Sequence, residues 1–244
     1  MNDSLEVELN GMHTTSPRTA LVGRRLCQSF GTRHLLRGVD LDLHQGEVLS
    51  VVGVSGSGKS TLLYALAGLR KPQEGVVTWG EHANIWSLKE PDITLVRRAT
   101  CGFVFQFPAF LDDLTVAANV AIPLVISATK TRRARERALT CLDRFGLGPL
   151  TEKYPSTLSS GELQRASIAR ALTMHPSIVF CDEPTGALDE KNSGMVVAEL
   201  RRIAEEFDVG VLIVTHDPAV SAASDRVLRL EQGRLIGEGQ AVCG

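Results

Sequence analysis

Nine consecutive residues, Gly53-Val54-Ser55-Gly56-Ser57-Gly58-Lys59-Ser60-Thr61, limit what this chain can fold into more than any other stretch. They fit the pattern G-x-x-x-x-G-K-[ST], with Gly53, Gly58, Lys59 and Ser60 at the fixed places. Residues 48–52 before them are mostly apolar and rich in valine, which reads as a buried strand. Residues 61–67 after them read as a helix. A strand, a glycine turn and a helix N-terminus aim several backbone N–H groups at one point, and the helix dipole adds to the attraction for an anion there. The glycines let the backbone close round a phosphate without Cβ clashes. In that frame Lys59 reaches the β- and γ-phosphates of a nucleotide and the Ser60 hydroxyl ligates Mg²⁺. A glycine-rich turn with a chance lysine is the bland competitor, and the flanking strand and helix argue against it.

The rest of the composition fits this start. At 244 residues, 43% of them apolar, the chain suits one α/β domain with room for a smaller subdomain. A net charge of −2 sets up no global field toward nucleic acid, so no nucleic-acid partner is expected. Cys27, Cys101, Cys141, Cys181 and Cys243 are scattered without a C-x-x-C, which argues against a zinc site or a disulfide framework and fits a reducing compartment. The polar, acidic N-terminus does not read as a secretory signal. The longest apolar stretch, residues 116–126, contains Asn119 and Pro123 and is too short to span a bilayer. A soluble, cytoplasmic chain is therefore expected, one that acts at a membrane only through a partner.

Along the chain, residues 1–19 read as a flexible tail. Residues 21–30 read as a strand, and 39–43 alternate apolar with acidic as a half-exposed antiparallel strand does. Gln45-Gly46 turns into the strand before the glycine loop, and residues 75–80 form another short strand. From about 107 to 174 the pattern is helical: 114–125, kinked or ended at Pro123; 130–145, with Ala134, Ala138, Leu142 and Phe145 on one stripe; and 161–173. Residues 178–181 are a continuous apolar run, as in a central parallel strand. A helix over 190–207, a buried strand over 211–214 and a hairpin over 226–238 around Gln232-Gly233 complete the reading.

Two stretches give the loop a chemistry. Asp182-Glu183 closes the run 178–181, and an acid at the C-terminal end of a parallel strand sits where such sheets bind ligands. Asp182 is placed to hold Mg²⁺, directly or through water, as the partner of Ser60, and Glu183 to polarise an attacking water as general base. The second stretch is Leu158-Ser159-Ser160-Gly161-Glu162-Leu163-Gln164-Arg165, in which Ser159 or Ser160 could simply cap an ordinary helix.

Residues 158–162 are similar to the signature L-S-G-G-Q of the ATP-binding cassette (ABC) ATPases, and with the glycine loop they make the chain resemble that family over about residues 21–238. The resemblance implies an α/β fold: a P-loop RecA-like core, about 20–106 and 175–244, with an N-terminal antiparallel β-layer and an inserted helical subdomain at about 107–174. It implies ATP and Mg²⁺ as ligands, bound across residues 53–61. It also implies a head-to-tail dimer with a second copy of the chain, in which Ser159, Ser160, Gly161 and Glu162 cap the γ-phosphate of the partner's ATP. By the same resemblance Gln106 senses Mg²⁺ and water, Asp189 works across the dimer, His216 contacts the γ-phosphate, and Phe30 stacks on adenine. Each has a plainer rival: a loop amide for Gln106, a helix N-cap for Asp189, a structural histidine, a core phenylalanine.

Two signature positions depart from the family: Ser160 stands for its first glycine and Glu162 for its glutamine. Ser160 brings a Cβ and a hydroxyl that either crowd the phosphate or add a donor to it. Glu162 with Gln164-Arg165, residues 182–189 and residues 114–124 resemble the branch of macrolide exporters, lipoprotein-release systems, antimicrobial-peptide detoxification and a cell-division relative. Such a subunit powers a separate integral membrane permease and sits peripherally on the inner face of the membrane. In the family the neighbourhood of Phe107, Pro108, Phe110 and Leu111 forms the groove that receives a membrane-subunit helix, a reading favoured here over core packing because apolar residues beside a functional loop suit an interaction patch. Lys130, Arg132, Arg133, Arg135 and Arg137 read most simply as a solvated helix face. A nucleotide-gated regulatory subunit and a soluble ABC-type ATPase acting on nucleic acid or ribosomes are the rival functions.

Overall fold

The computed structural model describes residues 18–238. Of the expected tail over 1–19 it describes only Arg18 and Thr19, and Thr19 already pairs with His44; Cys243 lies outside the described residues.

Alternating runs early in the chain build an antiparallel layer. β1 (Thr19–Phe30) lies between β2 (Arg33–His44) and β4 (Glu74–Trp79). The expected strand at 39–43 is the end of the longer β2, in which Val39, Leu41 and Leu43 are buried and Asp40 is exposed. Gly38, in the left-handed region at φ +70°, sits inside β2, so a turn signal there does not end the strand.

The second sheet has six strands in the order β5-β6-β7-β3-β8-β9. These are β3 (Val48–Val52), β5 (Cys101–Phe105), β6 (Ile178–Asp182), β7 (Gly210–Thr215), β8 (Arg226–Glu231) and β9 (Arg234–Glu238). All neighbouring pairs are parallel except the hairpin β8–β9. Its turn, Gln232 and Gly233 at φ +48° and +79°, is the left-handed pair that suits the twist of a two-residue hairpin.

Both faces of this sheet are covered, which is why its central strands are apolar without alternation. On β6, Ile178 and Phe180 face the core shared with the antiparallel layer and α1 (Lys59–Leu66). Val179 and Cys181 face the other core, with α3 (Val116–Ile126), α4 (Thr131–Arg144), α5 (Ser160–Leu172) and α6 (Glu190–Phe207). Each fully buried Leu, Ile, Val or Phe contributes about 1.5–3 kcal/mol of transfer free energy, so these two cores supply most of the gross stabilisation.

The helix after the glycine loop begins at Lys59, two residues before its expected start. α3 runs through Pro123 to Ile126, so the proline does not end it. α2 (Glu90–Thr100) and β5 were not expected as elements. A short helix, α7 (Pro218–Ala222), follows β7.

The register of the parallel strands decides where the chemistry sits. Val52 pairs with Thr215, Val214 with Asp182, and Asp182 with Phe105. The residues just past four adjacent strand ends, Gly53, His216, Glu183 and Gln106, therefore emerge along one edge of the sheet, its carboxyl edge, where open α/β sheets bind ligands.

Candidate active site

The glycine loop leaves β3 under tight steric limits. A Cβ on Gly53 would lie 2.7 Å from the Leu230 carbonyl oxygen and 2.8 Å from Ser57 Oγ. Gly58, at φ +105°, would bring one 2.9 Å from the Leu35 carbonyl oxygen. Gly56 is left-handed too, and its carbonyl accepts a 2.6 Å bond from Arg33 Nη2 on β2. α1 then starts with no acidic residue in its first turn and no side-chain cap, so its N-terminal N–H groups are left for an external anion. Val54, Ser55 and Gly56 are exposed at the loop crest.

Lys59 is nearly buried, 7% exposed, and folded back into the loop. Its Nζ donates to the carbonyls of Gly53 at 2.9 Å and Val54 at 3.4 Å and lies 3.7 Å from Glu183 Oε1. The Ser60 hydroxyl donates to Asp182 Oδ1 at 3.0 Å, joining α1 to the end of β6. A hydroxyl beside a carboxylate is the hard-oxygen donor set that Mg²⁺ takes, with water and phosphate completing the octahedron. Asp182 Oδ2 is taken by the Tyr64 hydroxyl at 2.8 Å, a contact the sequence reading missed. Burial, and then the bond to Asp182, push the Tyr64 phenol up to about 12.

Glu183 stands in the left-handed region at φ +48°, a sparsely populated conformation for a non-glycine residue. Its N–H donates to the Val214 carbonyl, which turns the side chain along the sheet edge. Oε2 accepts from Thr215 Oγ1 at 3.1 Å and from the His216 N–H at 3.3 Å, and lies 3.0 Å from His216 Nδ1. Oε1 faces Lys59, so this carboxylate sits between a cation and an imidazole. Gln106 comes off β5 with its amide against Gly186: a Cβ there would sit 2.8 Å from Nε2. Among the described residues Gln106 makes no side-chain hydrogen bond to Ser60 or Asp182.

Among the described residues the remaining candidates make no side-chain hydrogen bond to this group. Ser159 is the N-cap of α5, and Glu162 closes a capping box by accepting from the Ser159 N–H at 2.8 Å and hydroxyl at 2.7 Å. Those bonds hold the Glu162 carboxyl below its ordinary value. Ser160 is exposed at the first helical position, and Gly161 packs against the side chain of Asn192 on α6. Asp189 is the N-cap of α6, accepting from the Asn192 N–H at 2.8 Å, and the Asn192 bonds lower its pKa. Unlike α1, α5 has its N-terminal N–H groups partly met by its own capping box, with the Glu162 carboxylate in its first turn. Phe30 is 45% exposed, with the Arg70 guanidinium 5.1 Å over its ring, so it is not a core phenylalanine.

Residues 36–186 match the ABC transporter family. The chain belongs to that family. It is an ATP-binding subunit of the ABC type. It is 45% identical over 202 residues to the lipoprotein-releasing system ATP-binding protein LolD of Pseudomonas syringae pv. tomato, covering 83% of this chain and 88% of that one. It is 36% identical over 212 residues to the bacitracin export ATP-binding protein BceA of Halalkalibacterium halodurans, covering 85% and 83%. Among solved structures, the dimeric bacterial ABC transporter cassette MJ0796 superposes with a TM-score of 0.81 at 34% identity, covering 91% of this chain and 98% of that one. The same cassette was solved as a dimer in a post-hydrolysis state bound to ADP and Pi. The ABC cassette fold is thus the fold of this chain.

Proposed function

We propose that this ABC subunit hydrolyses ATP at a half-site that a second copy completes, and that the cycle drives a separate membrane permease of the lipoprotein-release or export kind. The observation that carries the reading is the strand register: it brings the phosphate loop, Asp182, Glu183, His216 and Gln106 to one sheet edge.

In this scheme the α1 N-terminus and Lys59 bind the phosphates, and Lys59 exchanges two carbonyl bonds for phosphate oxygens. Ser60 and Asp182 would hold Mg²⁺, which when bound would supply positive charge against the phosphate oxygens. Glu183 is already aimed by Thr215 and the His216 main chain, and takes the proton of the attacking water. His216 lies close enough to Glu183 for the pair to act on the same phosphate. Most of the rate comes from positioning and fixed charge. The opening of α5 is exposed at Ser159 and Ser160, where the γ-phosphate bound by the other copy would meet it in exchange for the Ser159–Glu162 bonds, and Asp189 lies beside it through Asn192 and Gly161. The dimeric relatives support that geometry.

The permease is proposed to dock beside Gln106. Phe107 is 72% exposed and Leu111 56% exposed. Next to them a cleft of about 340 Å³ runs between α2, β5, α3 and α5, lined by Phe105, Ile122 and Ile126 with Arg97, Arg98 and Arg170. Phe110 is partly core, under the Arg170 guanidinium at 4.6 Å. α3, α4 and α5 pack on one another and in this reading form the helical insert at about 107–174. Among the described residues no helix is long and apolar enough to cross a membrane; peripheral attachment through the permease follows in this reading. The basic run on α4 is mostly tied to the chain itself, through Arg132–Glu136, Arg135–Glu152 and Arg137 to the Thr173 carbonyl. The test is turnover: Glu183→Gln should bind ATP while its phosphate release falls at least about a hundredfold. Wild-type turnover in that variant would remove the general-base role.

A further inference from the structure

We propose that Tyr64 is a positioning residue for Asp182: its hydroxyl holds the carboxylate so that one oxygen, Oδ1, is turned toward Ser60 and the divalent cation of the bound nucleotide. The inference rests on the nucleotide site proposed above and concerns how that site selects its metal.

Ser60 and Tyr64 are four residues apart on α1, so both side chains leave the same face of the helix. Both reach one carboxylate at the end of β6. Ser60 Oγ donates to Oδ1 at 3.0 Å and the Tyr64 hydroxyl to Oδ2 at 2.8 Å. The two donors pin the carboxylate from both ends and fix its rotation. Tyr64 itself is a rigid support. Its ring packs against the core shared with the antiparallel layer, and its carbonyl accepts from the N–H groups of Leu69 at 2.9 Å and Arg70 at 3.1 Å. A phenol has only two side-chain torsions, so little freedom remains.

The consequence is chemical. A carboxylate with both oxygens free can turn and chelate through both, a mode that Ca²⁺ accepts readily. Mg²⁺ requires a near-ideal octahedron and takes single oxygens. With Oδ2 occupied by Tyr64, Asp182 is left to act through Oδ1, which favours the smaller ion. Partners that orient metal ligands typically change metal affinity by about 10–100-fold when removed.

Tyr64→Phe removes one oxygen and keeps the ring. The full chain is saturated with ADP and titrated with Mn²⁺, read by electron paramagnetic resonance, with Mg²⁺ and Ca²⁺ as competitors. The expected result is Mn²⁺ binding weakened about tenfold or more, a smaller preference for Mg²⁺ over Ca²⁺, and metal-free ADP affinity and Tm close to wild type. Wild-type Mn²⁺ affinity and ion preference in the variant would overturn the proposal. So would a parallel loss of Tm, metal-free ADP affinity and Mn²⁺ affinity, which is what a purely structural tyrosine gives. If the wild-type ADP complex holds no Mn²⁺ beyond that bound by free ADP, the nucleotide-site reading falls, and this inference with it.

Discussion

Replacing Gly186 by alanine separates the stability of this fold from its chemistry. The new Cβ would lie 2.8 Å from Gln106 Nε2, 3.1 Å from Cδ and 3.4 Å from Cγ. All three atoms belong to one flexible side chain. Gly186 is not among the glycines at positive φ, so alanine adds no backbone strain. The amide has to retreat by roughly half an ångström to reach ordinary van der Waals separation. A half-buried glutamine does this by an off-rotamer adjustment costing about 0.5–1.5 kcal/mol. The stiffer unfolded chain returns about 0.4–1 kcal/mol. The two nearly cancel, and a residual of up to ~1 kcal/mol shifts Tm by only about 2–4 °C in a domain of this size. Catalysis is far less forgiving, because a displacement near 1 Å in a positioned group can cost about a hundredfold. Phosphate release measured beside thermal unfolding should show kcat down at least tenfold, the KM for ATP changed less than about threefold, and Tm nearly unchanged. A well-folded Gly186→Ala with wild-type turnover would refute a role for Gln106 at this position.

Gly53→Ala should behave oppositely, since its Cβ meets the Leu230 main-chain carbonyl at 2.7 Å rather than a mobile side chain; nucleotide affinity and Tm are expected to fall together in an ADP titration and a melt. The Glu162 cap carries a pH signature. Its carboxyl is lowered chiefly by the Ser159 hydroxyl and N–H, so its contribution is present above the ordinary value of 4.5 and is lost as pH falls through the lower folded value. Chemical denaturation of wild type and Glu162→Gln should therefore differ by a constant amount at neutral pH and converge in acid; a gap that widens in acid would contradict the bond. Cys101 and Cys181 are buried thiols pushed far up by desolvation; maleimide labelling in native buffer should spare both and follow global unfolding, and rapid native labelling would contradict their burial.

The readable parts of the sequence were those in which one local pattern had one physical solution. The glycine loop is such a case: Gly53 and Gly58 both face carbonyl oxygens that leave no room for a Cβ. The run at 178–181 is another, apolar throughout because alternate residues enter two different cores. Ser159 with Glu162 three positions on is a legible capping box, and it settles which serine caps α5. The strand β5 was hidden because its five residues follow α2 without a break, and Gly102 fits only because it lies against the Ala171 main chain. Only the end of β2 alternates cleanly; its first half carries Arg37 and Gly38, both exposed, which break the pattern. Tyr64 was illegible as a site residue: its partner Asp182 lies 118 positions away, and only the packing of α1 under β6 brings them together.

A second copy of the chain is proposed to complete the nucleotide site. Light scattering of Glu183→Gln with saturating ATP tests it most directly, because this variant holds ATP without consuming it. The expected result is twice the mass of one chain, with two ATP retained per pair, and a return to single chains on adding Ser159→Ala to the variant. A single chain with one bound ATP at every protein concentration would contradict it.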